Sequence, residues 1–106
     1  SLPQKSTPMD ITQAKVLITG GSSGIGYETA KQLREQGAQV VICGRNEATI
    51  QQAAKELDVF GFKADVSNEE EVEQLFEFAI GKMGGLNVLI NNAGWPLSVI
   101  RLLGAR

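Results

Sequence analysis

Along this chain, short unbroken apolar runs alternate with stripes of apolar residues at helical spacing. Val16, Leu17 and Ile18 form the first run, the pattern of a strand covered on both faces. Past a glycine-rich segment, Ile25, Thr29, Ala30 and Leu33 keep near-helical spacing, and Gly37 supplies a stop. Residues 39–43 (QVVIC) read as a second buried strand. Asn46 then stands as an N-cap for a helix whose apolar face is Ile50, Ala53, Ala54 and Leu57. Residues 59–64 (VFGFKA) make a third strand ending at Asp65 and Val66. A third helix is expected from Ser67, with Ser67 and Glu70 as a capping box and Glu69, Glu70 and Glu71 on the positive end of the dipole. Its apolar stripe is Val72, Leu75, Phe76, Ala79, Ile80 and Met83, and Gly84 and Gly85 end it. Residues 86–91 (LNVLIN) are a fourth strand.

This βαβαβαβ order demands a parallel sheet with right-handed crossovers. The expected fold is α/β, a doubly wound parallel sheet of strand order 3-2-1-4, with a ligand crevice where strands one and four part.

Composition narrows the chemistry. At 106 residues with a net charge of −2, the chain is one domain without a basic tract, so neither nucleic acid nor an anionic membrane is an expected partner. The absence of histidine removes Ser-His-Asp and Cys-His catalysis and makes ordinary zinc sites improbable. A single cysteine, Cys43, excludes an internal disulfide and fits a reducing compartment, so a cytoplasmic location is expected. No apolar run is long enough to span a membrane. Residues 1–13 carry two prolines and no apolar period and are expected to be a flexible arm. Met9 is a candidate natural start, residues 1–8 then being an added remnant or a loose native arm.

The candidate chemistry sits between the first strand and the first helix. In KVLITGGSSGIGYETAK, Thr19 is followed by Gly20, Gly21, Ser22, Ser23, Gly24, Ile25 and Gly26. Glycines in such a loop let the backbone approach a ligand closely, and a helix starting near Gly24 aims free N–H groups and its positive end at it. That is a place for a pyrophosphate. Alone, the loop also fits a second reading, a device for tight strand–helix packing. The spacing is T-G-x-x-x-G-x-G, not the G-x-G-x-x-G of the ordinary dinucleotide fingerprint.

Three further positions join it in order: Gly44-Arg45 past strand two, Asp65-Val66 at the end of strand three, and Asn91-Asn92-Ala93-Gly94 past strand four. Locally, Arg45 reads equally as a solvated turn residue, Asp65 as an acceptor for turn N–H groups, and N-N-A-G as a plain turn. Taken jointly, these residues resemble the short-chain dehydrogenase/reductase family, classical type, over the cofactor-binding half of its Rossmann-like fold.

The resemblance implies a dinucleotide site of Gly20, Ser22, Ser23, Gly24, Ile25, Gly26, Arg45, Asn46, Asp65, Val66, Asn92, Ala93 and Gly94. Asp65 and Val66 would meet the adenine, and Asn92 the ribose. NAD-binding members carry an acid where Arg45 stands. A guanidinium there suits a 2′-phosphate through charge-assisted hydrogen bonds, so NADP(H) is favoured over NAD(H).

The resemblance covers residues 14–94, the expected NADP(H)-binding half-domain, and leaves residues 95–106 (WPLSVIRLLGAR) as an unaligned tail. Val99, Ile100, Leu102 and Leu103 there suggest a short apolar helical turn. The family's catalytic Ser and Tyr-x-x-x-Lys lie beyond the matched half. This pattern is expected of a truncated, alternatively spliced, frameshifted or engineered product whose sheet stops at strand four. Two readings follow: a binding module without activity of its own, or half of a carbonyl reductase or alcohol dehydrogenase completed by another chain. Strand four would then be an open edge and part of the Phe76/Ile80 stripe uncovered, so self-association or a covering partner is expected. Tyr27 and Lys31 spell Y-x-x-x-K in YETAK, but they fall in the first helix, at the pyrophosphate end, and no catalytic role is assigned to them. No metal site is expected.

Overall fold

The computed structural model describes residues 10–93 and 98–102. A single 3-10 turn, Ile11–Gln13, capped by the Asp10 side chain, leads into the first strand. The elements that follow are β1 (Lys15–Thr19), α1 (Gly24–Glu35), β2 (Gln39–Gly44), α2 (Glu47–Leu57), β3 (Phe60–Lys63), α3 (Glu69–Met83), β4 (Val88–Asn91) and β5 (Ser98–Arg101). The sheet order is β3-β2-β1-β4-β5, parallel through the first four strands. The expected order 3-2-1-4 is therefore observed.

Alternation along the two central strands explains why helices cover both faces. Val16, Ile18, Val40 and Ile42 point to one side and pack with Ala30 of α1 and Ile50, Ala53, Ala54 and Leu57 of α2. Leu17, Val41 and Cys43 point to the other side and pack with Leu75, Ala79 and Met83 of α3. A period of two in a strand thus feeds two separate cores.

The α2 reading holds: Asn46 Oδ1 accepts the Thr49 N–H at 3.0 Å, and all four expected apolar residues are buried. The start of α3 differs by one residue. Its cap is Asn68, which accepts the Glu71 N–H at 3.1 Å. Ser67 is otherwise engaged: its hydroxyl and N–H both donate to Asp65 Oδ1, at 2.7 and 3.0 Å. A nearer carboxylate outcompetes the helix for that hydroxyl. The Ser67/Glu70 box is thus replaced by Asn68 and Glu71, and the Glu71 carboxylate accepts the Asp65 N–H at 2.9 Å. The helix ends as expected at Gly84, in the left-handed region at φ 74°.

Two expectations about the end of the chain are corrected. The sheet does not stop at strand four, and residues 98–101 form a strand, not a helical turn. β5 runs antiparallel to β4, pairing Asn91 with Ser98 and Leu89 with Ile100, so β4 is not an open edge. Val99 and Ile100, at 64% and 45% exposure, show why the helical reading failed. Apolar neighbours on an outer strand read as a helical stripe when only four or five residues are available. Ile80, at 46% exposure, is uncovered as expected, while Phe76 is partly buried against the α3-side core.

Candidate functional site

Because four parallel strands end on the same edge, the residues just past them converge. The cavity there measures about 440 Å³. It is lined by Gly20 and Ser22 after β1, Cys43, Gly44 and Arg45 at the end of β2, Ala64 to Ser67 after β3, and Ala93 after β4. It lies at the crevice predicted by the reversal of strand order at β1 and β4.

Of the thirteen residues named from sequence, Gly20, Ser22, Arg45, Asp65, Val66 and Ala93 line this cavity. Ser23, Gly24, Ile25 and Gly26 form the start of α1 beside it instead. No side chain caps α1 and no acid stands in its first turn, whereas α2 and α3 have both. Its first N–H groups therefore lack an internal partner and face a favourable dipole for an anion. Asn46 does not line the cavity, since its side chain is committed to capping α2. Asn92 is a bracing residue in the structure: its Nδ2 donates to the Gly20 carbonyl oxygen at 3.1 Å. Gly94 lies outside the described residues.

Sequence reasoning missed Cys43, Gly44, Ala64 and Ser67 as cavity walls. Their signal was adjacency, since Gly44, Ala64 and Ser67 each directly precede or follow a named residue at a strand end, and Cys43 stands one place further back. It also missed the role of Thr19, which is almost fully buried. The Thr19 hydroxyl donates to Asn91 Oδ1 at 2.9 Å and accepts the Asn92 and Ala93 N–H groups at 2.9 and 3.1 Å. One side chain thus ties the end of β1 to the loop after β4. Gly20 sits at φ 68° against Ala93 in the same place, where a side chain would be both strained and crowded.

Charge at the cavity is mixed. Hydrogen bonds from the Ser67 hydroxyl and N–H hold the Asp65 carboxyl below its ordinary value, and the nearby Arg45 and Lys63 charges add to this. Asp65 is therefore an anion at neutral pH. Burial pushes the Cys43 thiol up to about 11, partly offset by a backbone contact from Gly20. At pH 7.5 it is protonated and inert. Native protein is therefore expected to react with an aromatic disulfide reagent at least roughly a hundredfold more slowly than urea-unfolded protein. Equal rates in the two states would show that Cys43 is not held as a buried thiol.

Tyr27 is directed elsewhere. Its hydroxyl donates to Glu56 Oε1 at 2.9 Å, bracing α1 against α2, and that hydrogen bond is the largest cause of its raised pKa. Among the described residues no cluster of three metal-ligating side chains occurs, and no helix is long and apolar enough to cross a membrane.

The family model described as short chain dehydrogenase matches residues 14–102, reaching past the expected boundary at residue 94. An uncharacterised oxidoreductase, DltE, of Bacillus subtilis strain 168 is 47% identical over 87 residues, which are 81% of this chain and 34% of that protein. A 3-ketoacyl-(acyl-carrier-protein) reductase from Brucella melitensis, solved with NADH, matches at TM-score 0.67 and 37% identity, over 70% of this chain and 31% of its own. An actinorhodin polyketide ketoreductase variant solved with NADPH matches at TM-score 0.72 and 35% identity, over 83% of this chain and 36% of its own. The chain spans about a third of the length of these relatives.

Proposed function

The chain belongs to the short-chain dehydrogenase family, and from that premise we propose that it is the NADP(H)-binding part of an oxidoreductase that moves hydride between nicotinamide and a carbonyl or alcohol. The observation that carries this reading is the position of Arg45 on the cavity wall directly past β2, with no acid beside it on that turn. The pyrophosphate would lie across the uncapped start of α1, along Ser22, Ser23, Gly24, Ile25 and Gly26. Adenine would lie by Asp65 and Val66, and ribose by Asn92, Ala93 and Gly94. Asn46 would serve indirectly, by fixing the turn that carries Arg45. Related structures hold NADH in one case and NADPH in the other, so the choice of cofactor rests on Arg45.

The test is calorimetry with both cofactors. A charge-assisted hydrogen bond is worth about 1.5–3 kcal/mol. Arg45→Ala is expected to weaken NADPH binding by roughly ten- to a hundredfold and to leave NADH nearly unchanged. Equal losses for the two would overturn the 2′-phosphate assignment.

On this reading these residues bind without turning over, because among the described residues no tyrosine, histidine or other ready proton donor is placed beside the cavity. Tyr27 is the one tyrosine of the chain, and its phenol is committed to Glu56. General acid catalysis contributes typically 10²–10⁴-fold, and none is supplied here. NADPH oxidation with ketones, aldehydes and quinones is expected to stay at the uncatalysed rate. Turnover that vanishes in Tyr27→Phe would refute this. A cytoplasmic setting suits the unpaired buried thiol. Self-association would use the outer edge of β5 and the exposed Ile80 end of the Phe76/Ile80 stripe on α3, and not β4.

A further inference from the structure

Resting on the outer-edge reading of self-association above, and independent of the dinucleotide site, we infer that two copies of this chain join along β5 as a closed twofold pair, with Ile100 facing Ile100 of the second copy at the axis.

The two edges of the sheet are unlike. At β3, Gly44 is in register with Lys63 and its carbonyl oxygen accepts the Ala64 N–H. Residues 60, 62 and 64 therefore face β2, and Val59, Gly61 and Lys63 face outward. Two of those outward groups are already engaged by α2. The Val59 N–H donates to the Ala54 carbonyl oxygen at 3.0 Å, and Gln51 Nε2 donates to the Gly61 carbonyl oxygen at 2.9 Å. A strand arriving at β3 would have to displace both. At β5 the Leu102 N–H donates to the Asn87 carbonyl oxygen at 2.8 Å. Residues 98, 100 and 102 thus face β4, while Val99 and Arg101 turn their N–H and C=O groups outward. Among the described residues no strand lies beyond β5, and those outward groups make no hydrogen bond.

This contrast selects the occupant. Joining β5 of one copy to β3 of the next would build an open filament, and the Gln51 amide stands in its way. Joining β5 to β5 is isologous and closes as a pair. It also continues the antiparallel sense that β5 already has against β4. Charge and burial then fix the register. Centring on Arg101 would set two guanidinium groups opposite each other. Centring on Val99 would set Ile100 against Ser98. Centring on Ile100 pairs each Val99 with the second copy's Arg101 through the outward backbone groups. It also covers Ile100, which is 45% exposed in the single chain. That contact falls on the face where Leu89 and Leu102 pack against the α3-side core.

The experiment is sedimentation of the full chain over a range of concentrations, with oxidative cross-linking of cysteine variants. Wild type is expected to dimerise by about 100 µM, as suits a small interface, and to form nothing larger. Ile100→Lys sets two ammonium groups opposite each other and is expected to weaken the dimer at least roughly tenfold, with the melt of the dilute chain unchanged. Residues opposite each other in a non-hydrogen-bonded pair lie about 4.5 Å apart at Cα, and a disulfide spans about 4.4–6.8 Å. Ile100→Cys is therefore expected to cross-link as a dimer. Val99→Cys is offset from its twin along the strand, beyond the about 7 Å limit for a bridge, and is expected not to. Cys43 is buried and stays out of the reaction. Cross-linking at Val99 in place of Ile100, growth into larger oligomers, or a dimer untouched by Ile100→Lys would overturn this inference and leave self-association standing. A chain that stays monomeric throughout would leave the edge to another occupant and overturn both.

Discussion

Gly26→Ala is expected to lower the melting temperature by about 10 °C or more, or to prevent folding, although it adds one methyl group. A Cβ built on Gly26 falls on the Gly20 carbonyl oxygen and lies 2.7 Å from Asn92 Nδ2. Both obstacles are fixed: one is backbone, and the other is the amide that donates to that same carbonyl at 3.1 Å. No flexible side-chain end is available to yield. Either α1 moves off the sheet or the Gly20–Asn92 hydrogen bond breaks. Overpacking costs about 1–3 kcal/mol, and a buried polar group left unpaired about as much again. In a domain of this size each kcal/mol is worth about 4–8 °C. The internal control is Gly81→Ala, on the exposed face of α3 with nothing within 4 Å of the added atom. That change is expected to stabilise by about 0.5–1 kcal/mol, as glycine is a poor residue inside a helix. A melt in which the two variants shift equally would show that the last glycine of the motif, Gly26, is a matter of propensity and not of packing.

The same contrast shows which parts of the molecule were legible in its sequence. Strands β1 and β2 were plain because burial on both faces leaves a continuous apolar run, and α2 because Asn46 and four apolar residues agree on one frame. The topology followed, since alternating strands and helices with right-handed crossovers admit few arrangements. The cap of α3 was shifted by one residue because Ser67 and Asn68 are both competent caps. What decides is a carboxylate, Asp65, that sequence does not place in three dimensions. β5 was illegible for another reason. An outer strand of four residues carries no clear period, and its partner is fixed only by the register with β4.

The candidate site was legible at the strand ends and less so inside the glycine loop. Residues past β1 to β4 line the cavity because parallel strands deliver them to one edge, which depends on topology alone. Ser23, Gly24, Ile25 and Gly26 stand beside the cavity instead, because their turn is already the start of α1. Gly26 in particular is required by its contacts with Gly20 and Asn92, so its place in the motif reports packing as much as binding. A motif read from spacing mixes residues that touch a ligand with residues that hold the loop.

Thr19 is the clearest member of the second group, and Thr19→Val is the second substitution expected to have a large effect. Valine matches threonine in shape, so the core around β1 is kept and only the hydroxyl is lost. That hydroxyl serves three partners across the crevice: Asn91 Oδ1, the Asn92 N–H and the Ala93 N–H. Water can replace it at Ala93, which is exposed, but less readily at Asn91 and Asn92, which are half-buried. A buried group left unpaired costs about 1–3 kcal/mol, so a total loss of about 2–4 kcal/mol is expected in urea unfolding. The effect on the site should exceed the effect on the fold, because the freed loop carries Ala93, a wall of the cavity. Amide exchange at Asn92 and Ala93 is expected to accelerate by well over tenfold while Leu17 and Val41, in the sheet centre, change only with global stability. Thr19→Ser keeps the hydroxyl and is expected to retain the slow exchange, losing only the packing of one methyl group. If Thr19→Val protects those two amides as well as wild type does, the link between the glycine loop and the strand-four loop runs through the Asn92–Gly20 hydrogen bond and not through Thr19.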